Sequence, residues 1–261
     1  MKLSVYIVTL NEAERLPRTI KAALQVADDI VVVDSGSSDG TVEIAEQLGA
    51  RVIFHAWKNI SSQKQFAQTQ CRYDWVLSLD ADEVLSPDLI KEINRVKEEP
   101  RHQAYKVRIG DMFPGFKRPR RLAKKYNLVR LYDRRLSSMP DDLTHDRVRV
   151  GETVSVGQLK GLVHHYSYLT LHQTWVKYNL YTDELVKTAL VKGKKYSRLR
   201  LVTEFPRQFF IYYIVRRQIF NGLWGLVMAT TLAYFRFLKI AKYFEAKQGL
   251  TFRDNTLDEF V

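Results

Sequence analysis

Residues 30–41 of the chain read IVVVDSGSSDGT, an apolar run of strand length that turns abruptly into a polar loop and then opens a helix. Two other stretches follow the same plan, since residues 3–12 read LSVYIVTLNE and residues 75–83 read WVLSLDADE. Apolar runs that alternate with helical spacing are typical of a parallel sheet covered by helices. The first third of the 261-residue chain is therefore predicted to be an α/β fold of the nucleotide-binding type.

Working outward from these stretches gives four strands and three helices before residue 83. The predicted strands are Leu3–Thr9, Ile30–Asp34, Arg51–Phe54 and Trp75–Asp80, and the predicted helices are Glu14–Val26, Thr41–Leu48 and Ser62–Arg72. Thr41 is expected to cap its helix and Gly49 to end it. Ser86 followed by Pro87 predicts the start of another helix.

The second half has a different pattern. Short strands are predicted at Ala104–Ile109 and Leu128–Tyr132 among irregular basic segments, and a helix is predicted at Thr170–Val191. Residues 205–247 are aromatic and apolar, with basic residues at intervals.

The formal net charge is +12, from 41 Lys and Arg against 29 Asp and Glu. This balance favours polyanionic partners such as nucleic acid, anionic lipid or phosphorylated substrates. The sequence has no helix-turn-helix, zinc-finger or aromatic RNA-binding signature, so nucleic acid is not expected. The single cysteine, Cys71, and a start without a secretory leader predict a cytoplasmic protein.

Polar residues follow three of the predicted strands directly, at 9–12, 34–41 and 80–83. Each group alone could be an ordinary turn or helix start. Ligands of open α/β sheets bind outside the carboxyl ends of the strands, so the three groups together predict one binding crevice. Asp80 and Asp82, one residue apart, offer the oxygen ligands that Mg²⁺ or Mn²⁺ prefers.

These motifs, VTLNE at 8–12, VDSGSSDGT at 33–41, Gln63-Lys64 and LDADE at 79–83, resemble those of the family 2 glycosyltransferases of the GT-A fold. Within that family the chain looks most like the lipopolysaccharide core β-1,4-glucosyltransferase group. The resemblance implies a GT-A type sheet with flanking helices, and the apolar, aromatic and basic residues 205–247 predict a C-terminal helical, membrane-associating extension. We predict a catalytic domain at 1–200, with donor and acceptor halves meeting at residue 100, and a helical region at 201–261 for membrane association or oligomerisation.

The resemblance also implies roles for individual residues. Asp34 would contact the base, Asp80 would face the ribose, and Asp82 with His165 would hold Mg²⁺ or Mn²⁺. The expected lining of the donor nucleotide pocket is Thr9, Asn11, Glu12, Asp34, Lys64 and Asp80. For His165, the alternative is a purely structural histidine.

An inverting transferase needs a base that accepts the proton of the acceptor hydroxyl, and a carboxylate suits that role. Asp146 is the candidate, because residues 143–147, LTHDR, resemble the His-Glu pair of this branch with aspartate in place of glutamate. The alternative is that Asp146 only pairs with Arg147 or Arg149 in a loop.

Two segments indicate an anionic acceptor or membrane. Residues 115–126 hold six cations, and Lys117, Arg118, Arg120 and Arg121 are expected to meet a phosphorylated glycolipid or the membrane surface. Lys177 and Tyr178 could reach the acceptor, or simply form a solvated helix face. Gln218–Phe235 is free of charge and predicts an interfacial helix, or else a lid packed on the core or on a second copy in a homo-oligomer.

The predicted function is transfer of a hexose, glucose from UDP-glucose by the resemblance, to a lipopolysaccharide inner-core heptose at the cytoplasmic membrane face. A polyprenyl-phosphate sugar synthase or another family 2 transferase would share every donor-side residue. A catalytically inactive membrane-surface protein is the alternative of another class, and the presence of both Asp80 and Asp82 argues against it. A nucleotidyltransferase would need a glycine-rich loop after the first strand, and residues 9–12 contain no glycine.

Overall fold

An eight-stranded mixed sheet forms the centre of the first part of the molecule. The computed structural model describes residues 1–140, 147–168 and 170–249. Its strands, in chain order, are β1 (Leu3–Thr9), β2 (Asp29–Asp34), β3 (Arg51–Phe54), β4 (Trp75–Asp80), β5 (Glu83–Leu85), β6 (Ala104–Asp111), β7 (Tyr126–Asp133), β8 (Ser137–Ser138), β9 (Arg149–Val150) and β10 (Val156–His165). The large sheet has the order β3-β2-β1-β4-β7-β6-β10-β5, and β8 pairs with β9 in a separate ribbon.

Four strands at one side of the sheet, β3, β2, β1 and β4, are parallel to one another. Strand β7 then enters antiparallel between β4 and β6, and β5 returns antiparallel along β10. Every residue of β1 and β2 is buried, as expected for strands covered by helices on both faces. The predicted strands and the α/β class are confirmed, while the second half makes the sheet mixed rather than purely parallel.

The helices are α1 (Leu16–Ala23), α2 (Thr41–Gln47), α3 (Ile60–Thr69), α4 (Pro87–Glu98), α5 (Leu171–Val191), α6 (Arg200–Phe210) and α7 (Leu223–Lys247). The start of α4 is as predicted, because the Ser86 hydroxyl accepts from the Leu89 N–H and Pro87 is the first helical residue. The end of α2 at Gly49, with φ of 83°, is also confirmed. The prediction that Thr41 caps α2 is wrong, since Gly40 occupies that position.

The chain divides into two compact units. The first contains residues up to Pro119 and Lys125–Ser167, and the second contains Arg120–Lys124 together with the chain from Tyr168 onward. The functional division predicted at residue 200 stays a prediction. Within the second unit, α7 packs against both α5 and α6.

The single helix predicted at Gln218–Phe235 is wrong. Gln218–Asn221 form one turn of 3₁₀-helix, and α7 begins only at Leu223. Arg217, with φ of 58°, and Gly222, with φ of 62°, bracket that turn in backbone conformations that no continuous α-helix contains. The apolar, uncharged sequence is therefore divided by a reversal of the backbone before α7.

A cluster around Asp28 ties the start of β1 to the end of α4. The Asp28 carboxylate accepts from the Leu3 N–H at 2.9 Å and pairs with Lys97 at 2.9 Å and Lys2 at 3.0 Å. Burial alone would raise the pKa of Asp28, but these partners lower it to about 2. Because the folded pKa lies below the unfolded one, the carboxylate stabilises the fold above pH 4, and that contribution disappears as the pH falls towards 2.

We expect Asp28→Asn to lower the free energy of unfolding by about 1 to 2 kcal/mol at pH 7. The deficit should shrink between pH 4 and pH 2, because the wild-type carboxylate then takes up a proton. Urea unfolding at several pH values measures this, with Glu46→Gln on the exposed face of α2 as the matched control. A deficit that stays constant down to pH 2 would assign the loss to packing rather than to charge.

Candidate active site

The loops that follow β1 and β2 are joined into one structure. The Asn11 N–H donates to the Ser37 hydroxyl at 2.8 Å, and the Ser38 N–H donates back to the Asn11 side-chain oxygen at 2.9 Å. The Glu12 N–H donates to the Thr41 hydroxyl at 2.8 Å, and Thr41 also binds Asp39. Asn11 has a φ of 53°, a conformation that asparagine tolerates better than most residues. The two predicted polar groups thus meet at one edge of the sheet.

The side chain of Asp34 holds the loop after β2 in place through hydrogen bonds. Its carboxylate accepts from the N–H groups of Gly36 and Ser37 at 2.8 Å each and from the Ser37 hydroxyl. The residue is only 3% exposed, so most of its hydrogen-bonding capacity is used by its own loop. Thr9, at the end of β1, is also buried, and its hydroxyl makes no hydrogen bond within the described chain.

The turn from Asp80 to Glu83 is fixed from both sides. The Thr19 hydroxyl of α1 donates to the Ala81 carbonyl at 2.8 Å, and the Tyr166 N–H donates to the Asp82 carbonyl at 2.8 Å. The Asp80 N–H donates to the Glu83 carboxylate at 3.0 Å. The end of β4 therefore presents Asp80 and Asp82 from a constrained backbone.

A buried ion network surrounds Asp80. Lys64 of α3, whose side chain is fully buried, lies 2.7 Å from one carboxylate oxygen, and Arg130 of β7 lies 3.4 Å from the other. Arg130 also donates to Glu83 at 2.7 Å, and the Glu83 side chain is 2% exposed. Asp80 is the most accessible of the four side chains, at 30% exposed. Two cations and two carboxylates alternate here. Buried charges are tolerated in this arrangement because each has an oppositely charged partner.

The same network sets the pKa values of its acids in opposite directions. Burial by itself would raise the pKa of Asp80, but Lys64 and Arg130 hold it below its ordinary value. Burial raises the pKa of Glu83, and the neighbouring Asp80 charge adds to this against the opposing effect of Arg130. Asp80 is thus the acid that stays ionised at the surface of the network.

His165, at the end of β10, lies between two carboxylates. Its Nε2 is 3.5 Å from the Asp82 carboxylate, and its Nδ1 donates to Asp111 at 3.0 Å. Burial lowers the pKa of His165, but the two carboxylates outweigh it and raise the pKa to about 10. Arg15 approaches Asp82 at 3.5 Å and also binds Glu12 and the Tyr166 carbonyl at 3.1 Å.

The pair of Asp82 and His165 fits the requirements of a divalent cation bound together with a substrate. Across the described ranges, no three His, Cys, Asp or Glu side chains are grouped so that they could hold a metal by themselves. A cation that keeps substrate phosphates in its shell needs only one or two protein ligands. The hydrogen bond from His165 Nδ1 to Asp111 leaves Nε2 on the side of Asp82, and such a bond is the usual support of a histidine that would hold a cation.

A cavity of about 280 Å³ lies beside Arg130. Its lining includes Lys106 of β6, Met139 and Arg147. Asp146, the predicted base, lies outside the described residues, and so does His145. Arg147, which follows directly in the chain, is therefore the described residue nearest in sequence to Asp146.

The predicted acceptor and membrane residues fall in different parts of the molecule. Lys117 and Arg118 belong to the first unit, whereas Arg120, Arg121, Lys177 and Tyr178 belong to the second. Lys177 is exposed on α5, and Tyr178 stacks on Phe235 with ring centroids 5.5 Å apart. Their roles stay predictions.

Sequence reasoning missed three residues of the site. Arg130 could have been noticed as a charged residue inside the apolar strand Leu128–Tyr132. Asp111 ends β6 as Asp34 ends β2, so the same argument from strand ends applied to it. Arg15 is three residues after Glu12, which is the spacing of a helical ion pair.

Comparison with known proteins shows the family to which this chain belongs. Residues 4–151, more than half of the chain, match the sequence profile described as glycosyl transferase family 2. The chain belongs to this family, and its GT-A type sheet with flanking helices is the fold that the sequence predicted.

Two relatives cover nearly the whole chain. An uncharacterized glycosyltransferase of Rickettsia bellii is 37% identical over 251 residues, which are 92% of this chain and 85% of the relative. The lipopolysaccharide core biosynthesis glycosyltransferase LpsC of Rhizobium meliloti is 28% identical over 273 residues, 99% of this chain and 97% of the relative. Among solved structures, S. aureus TarS 1-349 in complex with UDP-GlcNAc matches with a TM-score of 0.49 and 15% identity, over 97% of this chain and 93% of that one.

Removing Arg130 alone should lower the free energy of unfolding much more than removing it together with the charge of its partner Glu83. We expect Arg130→Met to destabilise the fold by about 3 to 5 kcal/mol, because it leaves Glu83 buried without its cation. The double variant Arg130→Met and Glu83→Gln should recover much of that loss. Urea unfolding provides the measurement, and Lys187→Gln, which removes an exposed pair with Glu184, is the control. Equal destabilisation in the single and double variants would contradict the assignment of Arg130 as the cation that compensates the buried Glu83 carboxylate.

Proposed function

We propose that this family 2 glycosyltransferase is an inverting hexosyltransferase that moves glucose from UDP-glucose to a lipopolysaccharide inner-core heptose. The observation that carries the donor side is the convergence of Asp80, Asp82 and His165 at the carboxyl edge of the sheet. The acceptor is inferred from the similarity to LpsC, a protein named for lipopolysaccharide core biosynthesis, over nearly the full length of both chains.

The described contacts support distinct donor roles. The loops that carry Asn11, Glu12 and Asp34 form one wall, held rigid by their mutual hydrogen bonds. The buried Thr9 hydroxyl, which makes no hydrogen bond within the described ranges, can meet a polar group of the nucleotide. Asp80 remains ionised and partly exposed, so it can accept from ribose hydroxyls while Lys64 fixes its orientation.

We assign Mg²⁺ or Mn²⁺ to Asp82 and His165. When bound, the cation supplies charge neutralisation for the departing diphosphate. His165 must release its Nε2 proton to act as a ligand, and Asp111 holds the ring in the required orientation throughout. Arg15 lies next to Asp82 and adds a second positive charge to the same side of the pocket.

Asp146 is proposed as the base that takes the proton of the acceptor hydroxyl. The support is its sequence position directly before Arg147, which lines the cavity beside Arg130. Residues 1–200 would carry out the transfer, and residues 201–261 would serve the membrane or a second copy.

Calorimetric titration with UDP and UDP-glucose tests the donor site. Binding should require Mn²⁺ and disappear with a chelator, and Asp82→Asn should weaken Mn²⁺-dependent binding at least about tenfold, because a carboxylate ligand is lost. Glu98→Gln, at an exposed glutamate in the last turn of α4, is the matched control and should bind as the parent does. Failure of the folded parent to bind any nucleotide sugar would refute the proposal.

The base is tested separately. Asp146→Asn should keep the affinity for UDP and lose at least about 100-fold of the transfer rate, since general base catalysis contributes on that order. A normal transfer rate would assign the role to another carboxylate.

The second unit carries an exposed apolar strip. Helix α6 buries Glu204 among Arg200, Arg207 and Gln208 and directs apolar side chains outward. The strip is defined by its exposed members, which are Leu199, Val202, Phe210, Ile214, Val215, Ile219, Phe220, Leu223 and Leu226. Arg198, Arg207 and Arg217 are exposed within the same stretch of chain.

We propose that the apolar strip binds the anionic face of the cytoplasmic membrane. Apolar side chains with interspersed arginines suit the boundary between acyl chains and anionic head groups. In the described ranges α7 alone is long and apolar enough to cross a membrane by length and composition, and a third of its most apolar window is buried. The strip favours a helix that lies on the surface, and a second copy covering the same strip is the competing occupant.

Replacing Phe210, Phe220 and Leu223 with serine should lower binding to vesicles of phosphatidylglycerol and phosphatidylcholine at least about tenfold, because each loses apolar burial in the lipid. The control replaces three exposed apolar residues of α5, Leu171, Leu180 and Val191, in the same way. Equal binding of both triple variants would exclude the strip as the lipid surface. Absent vesicle binding with a smaller size on gel filtration for the strip variant would instead identify a second copy.

A further inference from the structure

A second cavity in the first unit, of about 560 Å³, belongs to none of the proposed donor residues. The β10 cavity, as we name it, is lined by the first turns of α4, by Arg118 and by Lys160–Leu162 and His164 of β10. Its volume is within the range of sites that bind small ligands.

The β10 cavity lies on the opposite face of β10 from Asp82. Successive side chains of a strand point to opposite faces, and β10 is in regular register with β6 from Leu162 to His165. His165 faces Asp82, so His164 faces away from it and lines the β10 cavity. The imidazole of His164 makes no hydrogen bond within the described chain. A group bound here is therefore separate from the diphosphate of the donor.

The lining of the β10 cavity has an excess of positive charge. Its cations are Lys91, Arg95, Arg118 and Lys160, and its acids are Asp88 and Glu92. Glu92 is already used, because its carboxylate accepts from the N–H groups of Lys160 at 2.8 Å and Gly161 at 2.9 Å. None of the four cations has an ion-pair partner among the described residues.

The walls of the β10 cavity are held by close packing. A Cβ at Gly161 would lie 2.5 Å from the Leu89 backbone, so only glycine lets the start of α4 approach β10 this closely. The Ser86 hydroxyl accepts from both the Leu89 and the Leu162 N–H groups, at 3.3 and 3.1 Å. A Cβ at Gly110, the register partner of His164, would clash with Pro119 at 2.6 Å, so the segment carrying Arg118 is fastened to the same face.

We propose that the β10 cavity binds the oxyanion of a phosphorylated saccharide. Arginine and lysine side chains make short, charge-assisted hydrogen bonds to phosphate, and the start of α4 adds the positive end of a helix dipole. The half-buried imidazole of His164 in the lining leaves a hydrogen-bonding group for a sugar hydroxyl. The oxyanion chemistry rests on the cavity alone and is independent of the proposed function, because the cavity lies on the face of β10 opposite Asp82.

The test is calorimetric titration of the full chain with glucose 6-phosphate and, separately, with inorganic phosphate. The variant Arg118→Gln with Lys160→Gln should weaken binding of the probes at least about tenfold, with a loss that grows at low salt. The matched control Lys21→Gln with Arg101→Gln removes two exposed cations outside the β10 cavity and should bind as the parent does. Equal affinity of all three proteins, or no binding to the parent, would overturn the proposal.

Comparing the two probes distinguishes a phosphorylated saccharide from free phosphate, and titration with UDP distinguishes the β10 cavity from the donor site. Tighter binding of glucose 6-phosphate than of phosphate identifies a saccharide as the source of the oxyanion, and equal affinity identifies free phosphate. UDP binding with Mn²⁺ should be unchanged in the Arg118 and Lys160 variant, since the donor site is on the other face. A parent protein that binds glucose 6-phosphate through these residues but does not bind UDP would refute the proposed function and support the proposal for the β10 cavity.

Discussion

The contact between Lys64 and Asp80 is the constraint on which the site depends. Lys64 has no exposed side-chain surface, and the Asp80 carboxylate 2.7 Å away compensates its buried charge. This contact fixes α3 against the end of β4 and, through Arg130, fixes β7 as well. An antiparallel strand from the second half of the sequence is thereby tied to the parallel half. The network couples the fold to the orientation of Asp80, one of the two acids proposed for the donor site.

The four strands of the first 80 residues were predicted to within one residue at each end, and the three helices between them to within three residues. Strands β1, β3 and β4 have the predicted bounds. For β1 and β4 the reason is that buried parallel strands appear as nearly uninterrupted apolar runs. The order of the later strands could not be predicted, since β5 and β10 pair across about 80 residues and neither has a turn signal that specifies its partner. Thr41 was wrongly predicted to cap a helix because its hydroxyl is used by the Glu12 N–H, a partner 29 residues away.

The site was predictable to the extent that strand ends converge in an α/β sheet. That rule brought together the loops of Asn11, Asp34 and Asp80, which the structure joins or places at one edge. Arg130 and Asp111 come from strands of the mixed half, and their contacts with Glu83 and His165 depend on the register of the whole sheet. Long-range register of this kind is not visible in local sequence patterns, so Arg130 and Asp111 were missed, although the sequence singled out Asp80, Asp82 and His165.

The reciprocal hydrogen bonds between Asn11 and the Ser37–Ser38 loop have a consequence for protein engineering. Each loop supplies a hydrogen-bonding partner for the other, although 26 or 27 residues separate the bonded positions. The two loops therefore form one structural unit that has to be exchanged as a whole. Randomising the sequence of one loop alone would remove hydrogen bonds on which the conformation of the other loop depends. Exchanging this part of the protein for that of a relative therefore calls for grafting both loops from the same source.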